Sequence, residues 1–382
     1  MLSFARAQVH PIGLDIGHDS IKMIQLERDG ESLSVRAAAL SPLPAEAQAN
    51  PQRHLPLAIE TIRQIMRRRQ FSGRKVVAAL PREVLHIRNM RLPQGAAADS
   101  AELANEAKGL LPIDVSQAQL QFLKAGEAHD AGAIRDEIIV MAALNKDVAA
   151  FIEALGRAGV ELAALDSEPC ALYRLVDRFM RRSDDELDAH VIVDIGWRRS
   201  QVVIGKGRQI SMIKSIGVGG YQFQEAVSRK LGITLDEAQA LRRRLMGPVE
   251  AAQPAEARDP VRKAAGDACR SAMEELGGEI ALCLRYHAVT FRGRRPACVR
   301  LIGGEAGNPQ LCAVLNKMLP IPSEVARPLQ SLDTSSMSAA DKEGSMSQWA
   351  TAFGLALRCT EGPFASRDGR PRENLISHAQ VA

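Results

Sequence analysis

Two stretches of the sequence decide the fold: GLDIGHDSIKMIQL at residues 13–26 and VIVDIGWRRSQVVI at residues 191–204. Each contains an apolar strand that ends in the same tripeptide, Asp15-Ile16-Gly17 in the first stretch and Asp194-Ile195-Gly196 in the second. Two more strands of alternating polarity follow each tripeptide, separated by a glycine-containing turn. A single Asp-Ile-Gly is common by chance, whereas two copies that each open a three-strand unit indicate an internal duplication.

The duplicated unit has the chemistry of a site for a metal-chelated polyphosphate. A carboxylate at a strand end can hold a hydrated magnesium ion, and the glycine after it lets backbone amides approach phosphate oxygens. Ser20 and Lys22 lie two residues apart on a predicted strand, so both side chains share one face and can reach the β- and γ-phosphates. Two such hairpins that face each other predict a clamp for ATP, with Asp15 and Asp194 as ligands of Mg²⁺.

Two further motifs are compatible with the same site but are less specific. Gly303-Gly304 stands between an apolar strand and a helix, where the backbone could approach the base, the ribose or the α-phosphate. Most Gly-Gly turns, however, only connect elements. Glu168-Pro169 begins a helix directly after a strand, and its carboxylate could orient an attacking water. Stabilisation of an acidic residue by the helix dipole explains Glu168 equally well.

Length and composition describe a globular protein with more than one packed unit. The chain has 382 residues, 46% hydrophobic and 25% charged, and a formal net charge of +4. Its short arginine clusters lack interleaved aromatic residues, which argues against a nucleic-acid site. We find neither a signal peptide nor an apolar run near the roughly 20 residues of a membrane helix. The six cysteines form no Cys-x-x-Cys pair, so we expect reduced thiols and a cytoplasmic protein.

The order of the motifs resembles the ATPase superfamily of actin, heat-shock chaperones and sugar kinases. The chain shows it as Asp15-Ile-Gly17-x-x-Ser20-x-Lys22, Glu168-Pro169, Asp194-Ile-Gly196, Gly217-x-Gly219-Gly220 and Gly303-Gly304. Within this superfamily, nearly the whole chain resembles the PilM family of type IV pilus assembly proteins. The stretches that carry this resemblance are 13–26, 76–93, 102–114, 216–245, 301–328 and 349–358.

The resemblance implies an α/β fold, namely a duplicated actin-like (ribonuclease H-like) ATPase fold with an inserted small α+β subdomain. From composition we expect a loop at residues 247–259 and a mobile polar segment at residues 331–347. The implied organisation is the N-terminal part of a first lobe at 1–74, the inserted subdomain at 75–145, a return to the first lobe at 146–183, a second lobe at 184–346, a C-terminal helix that packs back on the first lobe at 347–359 and a disordered tail at 360–382.

The resemblance also implies a role for each candidate residue, with ATP lying between the two lobes. Asp15 and Asp194 would hold Mg²⁺, and Glu168 would face the hydrolytic water. The other implied nucleotide contacts are Gly17, Ser20, Lys22, Gly196 and Ser200 at the phosphates, Gly219 and Gly220 at the following helix, Gln239 and Arg242 at a ribose and a phosphate, and Gly303 and Gly304 at the base or ribose.

The chain departs from the family pattern at several places in this site. The first phosphate loop has His18-Asp19 in place of small residues, and Gln239 and Arg242 stand where family members often have an acidic residue and a lysine. The second phosphate loop usually has small or hydroxyl residues, whereas this chain has Trp197, Arg198 and Arg199 before Ser200. Arginine could neutralise phosphate, but the indole is bulky where backbone must approach. A glutamate, Glu305, replaces a third glycine. We therefore expect nucleotide binding with at most slow ATP hydrolysis.

The family further implies a protein partner. A groove between the first lobe and the small subdomain would bind the short cytoplasmic N-terminal peptide of a PilN-like inner-membrane protein, through backbone pairing and apolar pockets. The chain would then be peripheral to the inner membrane through this partner. The sequence leaves homo-oligomerisation open.

Three other functions have a related fold. A sugar kinase needs a general base beside the acceptor hydroxyl, and we find no obvious aspartate in that role. An FtsA-type filament protein anchors through a C-terminal amphipathic helix, whereas residues 360–382 show no apolar face. The cytoplasmic half of a type II secretion L-protein belongs to a chain with a membrane helix, which we do not find here. The assembly scaffold is the function we expect.

Overall fold

The computed structural model describes residues 7–68, 70–95, 100–130, 133–178, 180, 183–246, 260–291, 294–359 and 375–376. The loop predicted at residues 247–259 lies outside these ranges, and so does the predicted tail apart from Leu375–Ile376. No helix within the described ranges combines the length and the apolarity that a bilayer crossing requires.

Strands and helices alternate along the described chain. The strands are β1 (Gln8–Val9), β2 (Ile12–Ile16), β3 (Ser20–Asp29), β4 (Ser32–Pro42), β5 (Lys75–Ala79), β6 (His86–Pro93), β7 (Ala118–Asp130), β8 (Ala133–Leu144), β9 (Glu161–Asp166), β10 (Ala189–Ile195), β11 (Ser200–Lys206), β12 (Gln209–Ile216), β13 (Val299–Ile302), β14 (Ser323–Val325) and β15 (Leu375–Ile376). The α-helices are α1 (Ala45–Ala49), α2 (Pro51–Arg67), α3 (Ser100–Leu110), α4 (Asn145–Arg157), α5 (Glu168–Arg174), α6 (Gly220–Leu231), α7 (Leu235–Met246), α8 (Pro260–Thr290), α9 (Pro309–Met318) and α10 (Ala350–Ala356).

Two of the sheets repeat one topology. The first has the order β4-β3-β2-β5-β9, with β1 also paired to β3, and the second has the order β12-β11-β10-β13-β14. In each sheet the first two pairings are antiparallel and the last two are parallel. The strands that end in Asp-Ile-Gly, β2 and β10, hold the same central position. The internal duplication read from the sequence is therefore present in the structure.

Helices cover both sheets with apolar faces. In the first half, α2 and α4 pack on the sheet through a cluster that includes Ile59, Ile62 and Phe151. In the second half, α6, α8 and α9 form a separate cluster around Phe223, Met273 and Leu315. The short helix α10 is buried along its whole length and contacts β2 and α5. These cores fix the positions of the strand ends at which the candidate site lies.

A third sheet interrupts the first half between β5 and α4. Its order is β15-β7-β8-β6, and its neighbouring strands are antiparallel. Helix α3 covers one face, where Leu103 and Ala107 share a core with Phe122, Ile138 and Val140. We call β6, α3, β7 and β8 the small subdomain. It leaves β6 as an edge strand within the described chain.

Two sequence predictions of local structure were wrong. Residues 331–347 are packed rather than mobile, because their polar groups bond other parts of the chain: Leu40 N donates to Asp341 Oδ1 at 2.9 Å, and Ser336 Oγ donates to Val35 O. The disorder predicted at 360–382 does not hold for Leu375–Ile376, which form β15.

Candidate functional site

Charged side chains from both halves meet between the two repeated sheets. Lys22 Nζ lies 3.7 Å from Asp15 Oδ2 and donates to Ser20 Oγ at 2.9 Å. The guanidinium of Arg82 pairs with both carboxylate oxygens of Glu168, and its Nη2 donates to Asp194 Oδ2 at 3.1 Å. We call Asp15, Lys22, Arg82, Glu168 and Asp194 the cleft cluster. It brings together three carboxylates and two cations.

Burial is the main cause of the raised pKa values of two carboxyls in the cluster. Burial raises the pKa of Asp15 to about 6, against the opposing effect of the Lys22 charge. Burial also raises the pKa of Asp194 well above its usual value, and the neighbouring Glu168 charge adds to this shift. Burial acts in the same direction on Glu168, but Arg82 outweighs it and holds that pKa below its usual value. A further cation beside Asp15 and Asp194 would favour their ionised forms and lower both pKa values.

The donor set of the cluster fits magnesium. Mg²⁺ prefers hard oxygen ligands and usually takes one or two carboxylates, completing its shell with water and phosphate oxygens. Within the described residues, no three histidine, cysteine or carboxylate side chains are close enough to hold a metal by themselves. Asp15 and Asp194 with a bound phosphate chain would supply the ligands that Mg²⁺ requires, so the residues present fit a metal–nucleotide complex.

The two Asp-Ile-Gly turns have the same hydrogen bond. Gly17 N donates to Ser20 O at 3.0 Å, and Gly196 N donates to Arg199 O at 3.1 Å. A Cβ atom on Gly17 would lie 2.8 Å from Ser20 O, which explains the glycine. The repeated sequence therefore forms a repeated tight turn after each aspartate.

Arg198 bridges the two turns. Its Nε donates to His18 Nε2 at 2.9 Å, its Nη2 donates to Gln48 O at 3.2 Å, and its guanidinium lies 5.8 Å from the centre of the Tyr221 ring. The His18 ring stacks on His54 at 5.3 Å. Burial, together with the Arg198 charge, lowers the pKa of His18 to about 4, so the ring is neutral and accepts this bond. One departure from the family pattern thus closes this end of the cleft.

A buried ion pair lies at the start of α6, and one of its members directly follows Gly303 and Gly304 in the chain. Gly303 has φ of +95° and lies against Asp194, where a side chain would overlap the carboxylate. Glu305 pairs with Arg242, whose Nη1 donates to Gly220 O at 2.9 Å. Both side chains of this pair are nearly fully buried, at 7% and 6% exposure. Burial raises the pKa of Glu305, and Arg242 opposes that shift.

The structure brings most predicted site residues to the cleft, but some of them already bond other parts of the chain. Four predicted residues belong to the cleft cluster, namely Asp15, Lys22, Glu168 and Asp194. Four more adjoin it, namely Gly17, Ser20, Gly196 and Gly303, and a Cβ placed on Gly304 would meet no described residue within 4 Å apart from its chain neighbours. Gly219 precedes α6, and the amides of Gly220 and Tyr221 donate to Gly196 O and Trp197 O at 3.0 and 2.7 Å. Gln239 is half-buried on α7.

Ser200 does not face the cleft as predicted. The residue is fully buried, at 0% exposure, and its hydroxyl donates to Val218 O at 2.7 Å. Ser200 is the first residue of β11, and its hydrogen bond fixes the segment that precedes α6. The prediction of a phosphate contact at Ser200 is therefore corrected.

Sequence reasoning missed Arg82. It follows Pro81 just beyond the carboxyl end of β5, which runs parallel to β2 and β9. Carboxyl ends of neighbouring parallel strands meet at one edge of a sheet, where α/β proteins place their ligands. The available signal was an arginine at that edge, beside one strand that carries Asp15 near its end and another that is followed by Glu168. The partner of Arg198 also went unpredicted, because it lies on the other half of the chain.

The chain is similar to proteins of known family and structure. A family model described as type IV pilus assembly protein PilM matches residues 13–360. A chain of the PilM–PilN type IV pilus biogenesis complex aligns with a TM-score of 0.71 and 22% identity, over 91% of this chain and 98% of that one.

Two more distant structures align over similar lengths. The ethanolamine utilization protein EutJ of Carboxydothermus hydrogenoformans has a TM-score of 0.53 and 14% identity, over 92% of this chain and 89% of that one. MreB5 of Spiroplasma citri bound to ADP has a TM-score of 0.45 and 12% identity, over 92% and 96%. The predicted fold class is confirmed: the chain has the duplicated actin-like α/β fold with an inserted small α+β subdomain.

Proposed function

Because the chain belongs to the family of the type IV pilus assembly protein PilM, we propose that it is a cytoplasmic, nucleotide-binding scaffold for pilus assembly. In this role it binds the N-terminal peptide of a PilN-like inner-membrane protein and is held at the inner membrane by that partner. The observation that carries the nucleotide part is the convergence of Asp15, Glu168 and Asp194 with Lys22 between two equivalent turns.

The cleft residues divide the work of holding Mg–ATP. Asp15 and Asp194 hold the hydrated ion, and Lys22 with Ser20 faces the β- and γ-phosphates. The bound ion supplies charge neutralisation of the phosphates. Gly303 and Gly304 would face the base or ribose, and within the described part of the chain a Cβ placed on Gly304 would meet only its chain neighbours within 4 Å. The side chains of Glu305, which pairs with Arg242, and of Trp197 lie against Gly220. They must move away from Gly220 before a nucleotide can bind beside it.

The same geometry favours holding ATP over hydrolysing it. A general base must be free to accept a proton from the attacking water. Glu168 is engaged by two N–H groups of Arg82, which also keep its pKa low. A carboxylate held in this way is a weak base, so we expect at most slow ATPase activity.

Asp15→Ala is expected to weaken Mg–ATP binding at least about tenfold, a loss of about 1.4 kcal/mol, because one of the two metal carboxylates is removed. Calorimetric titration of Mg–ATP into the full chain measures the change. Asp29→Ala is the matched control, since Asp29 is exposed at the far end of the same hairpin. Equal affinity in the wild type and Asp15→Ala would show that this carboxylate does not serve the nucleotide.

The small subdomain offers a surface for the peptide. Its strand β6 is an edge within the described sheet and follows β5 of the first sheet after a short turn. An edge strand offers unpaired backbone N–H and C=O groups to an extended peptide. A solved relative is the PilM–PilN complex. The junction of the first half with the small subdomain is therefore the surface we assign to a PilN-like peptide.

Removal of the small subdomain is expected to abolish peptide binding. A synthetic N-terminal peptide of the inner-membrane partner from the same pilus system is titrated into the full chain and into a variant with residues 83–143 replaced by a short glycine linker. A scrambled peptide is the first control. Cooperative unfolding and retained Mg–ATP binding of the variant are the second. Binding that survives the deletion would place the peptide elsewhere.

A further inference from the structure

Arg82 joins carboxylates from both halves of the molecule. It pairs with Glu168 at the start of α5 and donates through Nη2 to Asp194 Oδ2 at 3.1 Å, at the end of β10. The three side chains are 26%, 13% and 10% exposed, so water screens these contacts little. We infer that Arg82, held in place by Glu168, is a built-in counter-cation of Asp194, which competes with a divalent ion for this carboxylate and couples the small subdomain to the metal state of the cleft.

The charge balance of the cleft cluster explains the position of this arginine. Asp15, Glu168 and Asp194 bring three acidic groups together, and Lys22 at 3.7 Å from Asp15 supplies one positive charge. Buried carboxylates without a counter-charge are costly, because desolvation penalises their ionised form. Arg82 supplies the second positive charge. A divalent ion at Asp194 would repel the guanidinium, so the ion and the arginine compete for this carboxylate.

The backbone around Arg82 connects this competition to the small subdomain. Arg82 lies in the turn between β5 and β6, where Leu80 N donates to Asp166 O at 2.9 Å and Val84 N donates to Pro81 O at 3.1 Å. His86, the first residue of β6, follows closely along the chain. When the guanidinium leaves Asp194, this turn loses its contact with β10. The metal state of the cleft is thereby coupled to the edge strand β6.

The inference deepens the proposed function and depends on it for the nucleotide, but the competition itself is measurable with a metal alone. Mn²⁺ is the probe, and electron paramagnetic resonance of the free ion measures its binding to the full chain. Arg82→Gln is expected to bind Mn²⁺ at least about tenfold more tightly than the wild type, because the competing charge is gone. Arg88→Gln, a change of an exposed arginine on β6, is the matched control and keeps the wild-type affinity.

Two further readouts separate competition from a merely structural role. Metal-free Arg82→Gln is expected to melt below the wild type, since its carboxylates keep only Lys22, and Mn²⁺ is expected to restore the melting temperature. Hydrogen exchange in residues 80–93 is expected to be faster in the metal-free variant. In the wild type, Mn²⁺ raises exchange there toward the level of the variant. A structural arginine would lower the melting temperature without raising the affinity for Mn²⁺.

Each outcome decides the inference. Unchanged or weaker Mn²⁺ binding by Arg82→Gln overturns it, and so does a lack of Mn²⁺ binding to both proteins. If Mn²⁺ binds as expected while Mg–ATP fails to bind the wild type, the proposed nucleotide function fails and the role of Arg82 as a counter-cation stands.

Discussion

Glu305→Ala is expected to lower the free energy of unfolding by about 3–5 kcal/mol, because it leaves a buried guanidinium without its counter-charge. Arg242 and Glu305 are only 6% and 7% exposed, so water cannot replace the lost partner. Arginine also cannot discharge itself by releasing a proton. Urea denaturation followed by circular dichroism measures the change.

Replacement of Arg242, the other member of the pair, is expected to lower the free energy of unfolding less. Arg242→Met leaves Glu305 buried, but burial already raises the pKa of that carboxyl, so it can take up a proton and become neutral. The double variant Arg242→Met, Glu305→Leu replaces both charges with apolar groups and is expected to lie near the wild type. Glu324→Ala is the control: its partner Arg300 is 3.8 Å away and Glu324 is 60% exposed, so the effect stays below about 1 kcal/mol. A loss of less than 1 kcal/mol in Glu305→Ala would contradict this account.

Alanine at Gly13 or Gly354 is expected to destabilise the protein by about 3 kcal/mol or more, the upper end of overpacking effects. A Cβ atom on Gly13 would overlap Ala352 O and lie 2.6 Å from Ala356 N, both in α10. A Cβ atom on Gly354 would overlap Ala171 O in α5 and lie 2.6 Å from Ala171 C. The obstructing atoms are backbone, which cannot turn aside as a side chain can. The helix α10 must therefore move off β2 and α5.

The same substitution at Gly278 is expected to act in the opposite direction. Gly278 lies in the middle of α8, and no atom lies within 4 Å of a Cβ placed on it. Alanine there raises stability by roughly 0.5–1 kcal/mol, because glycine is unfavourable inside a helix. The melting temperatures of the Gly13→Ala, Gly354→Ala and Gly278→Ala variants test both expectations. Equal effects at Gly13 and Gly278 would show that α10 is not held by close backbone contact.

The duplicated architecture was predictable because its signals are local. Each Asp-Ile-Gly ends an apolar strand, and the alternating strands and turns that follow are read within a few residues of it. The same local patterns recur in both halves, so the equivalence of β2 and β10 followed without long-range information.

The chemistry of the cleft was only half predictable because it depends on contacts between distant residues. Asp15 and Lys22 belong to one hairpin, and their proximity follows from the strand geometry. Arg82 meets Glu168 and Asp194 across 86 and 112 positions of the chain, which no local pattern encodes. The same holds for Asp341, which accepts from Leu40 N across 301 positions. The polar composition of residues 331–347 indicated mobility, whereas their polar groups form hydrogen bonds with distant parts of the chain.

The central claim is that the two Asp-Ile-Gly turns hold a metal-chelated nucleotide between the repeated sheets. A crystal structure of the full chain with Mg²⁺ and a non-hydrolysable ATP analogue tests it most directly. We expect nucleotide density between the ends of β2 and β10, with the metal beside Asp15 and Asp194 and the Arg82 guanidinium withdrawn from Asp194 while it stays paired with Glu168. An empty cleft at saturating nucleotide, or Asp15 and Asp194 carboxylates directed away from a shared ligand, would contradict the claim.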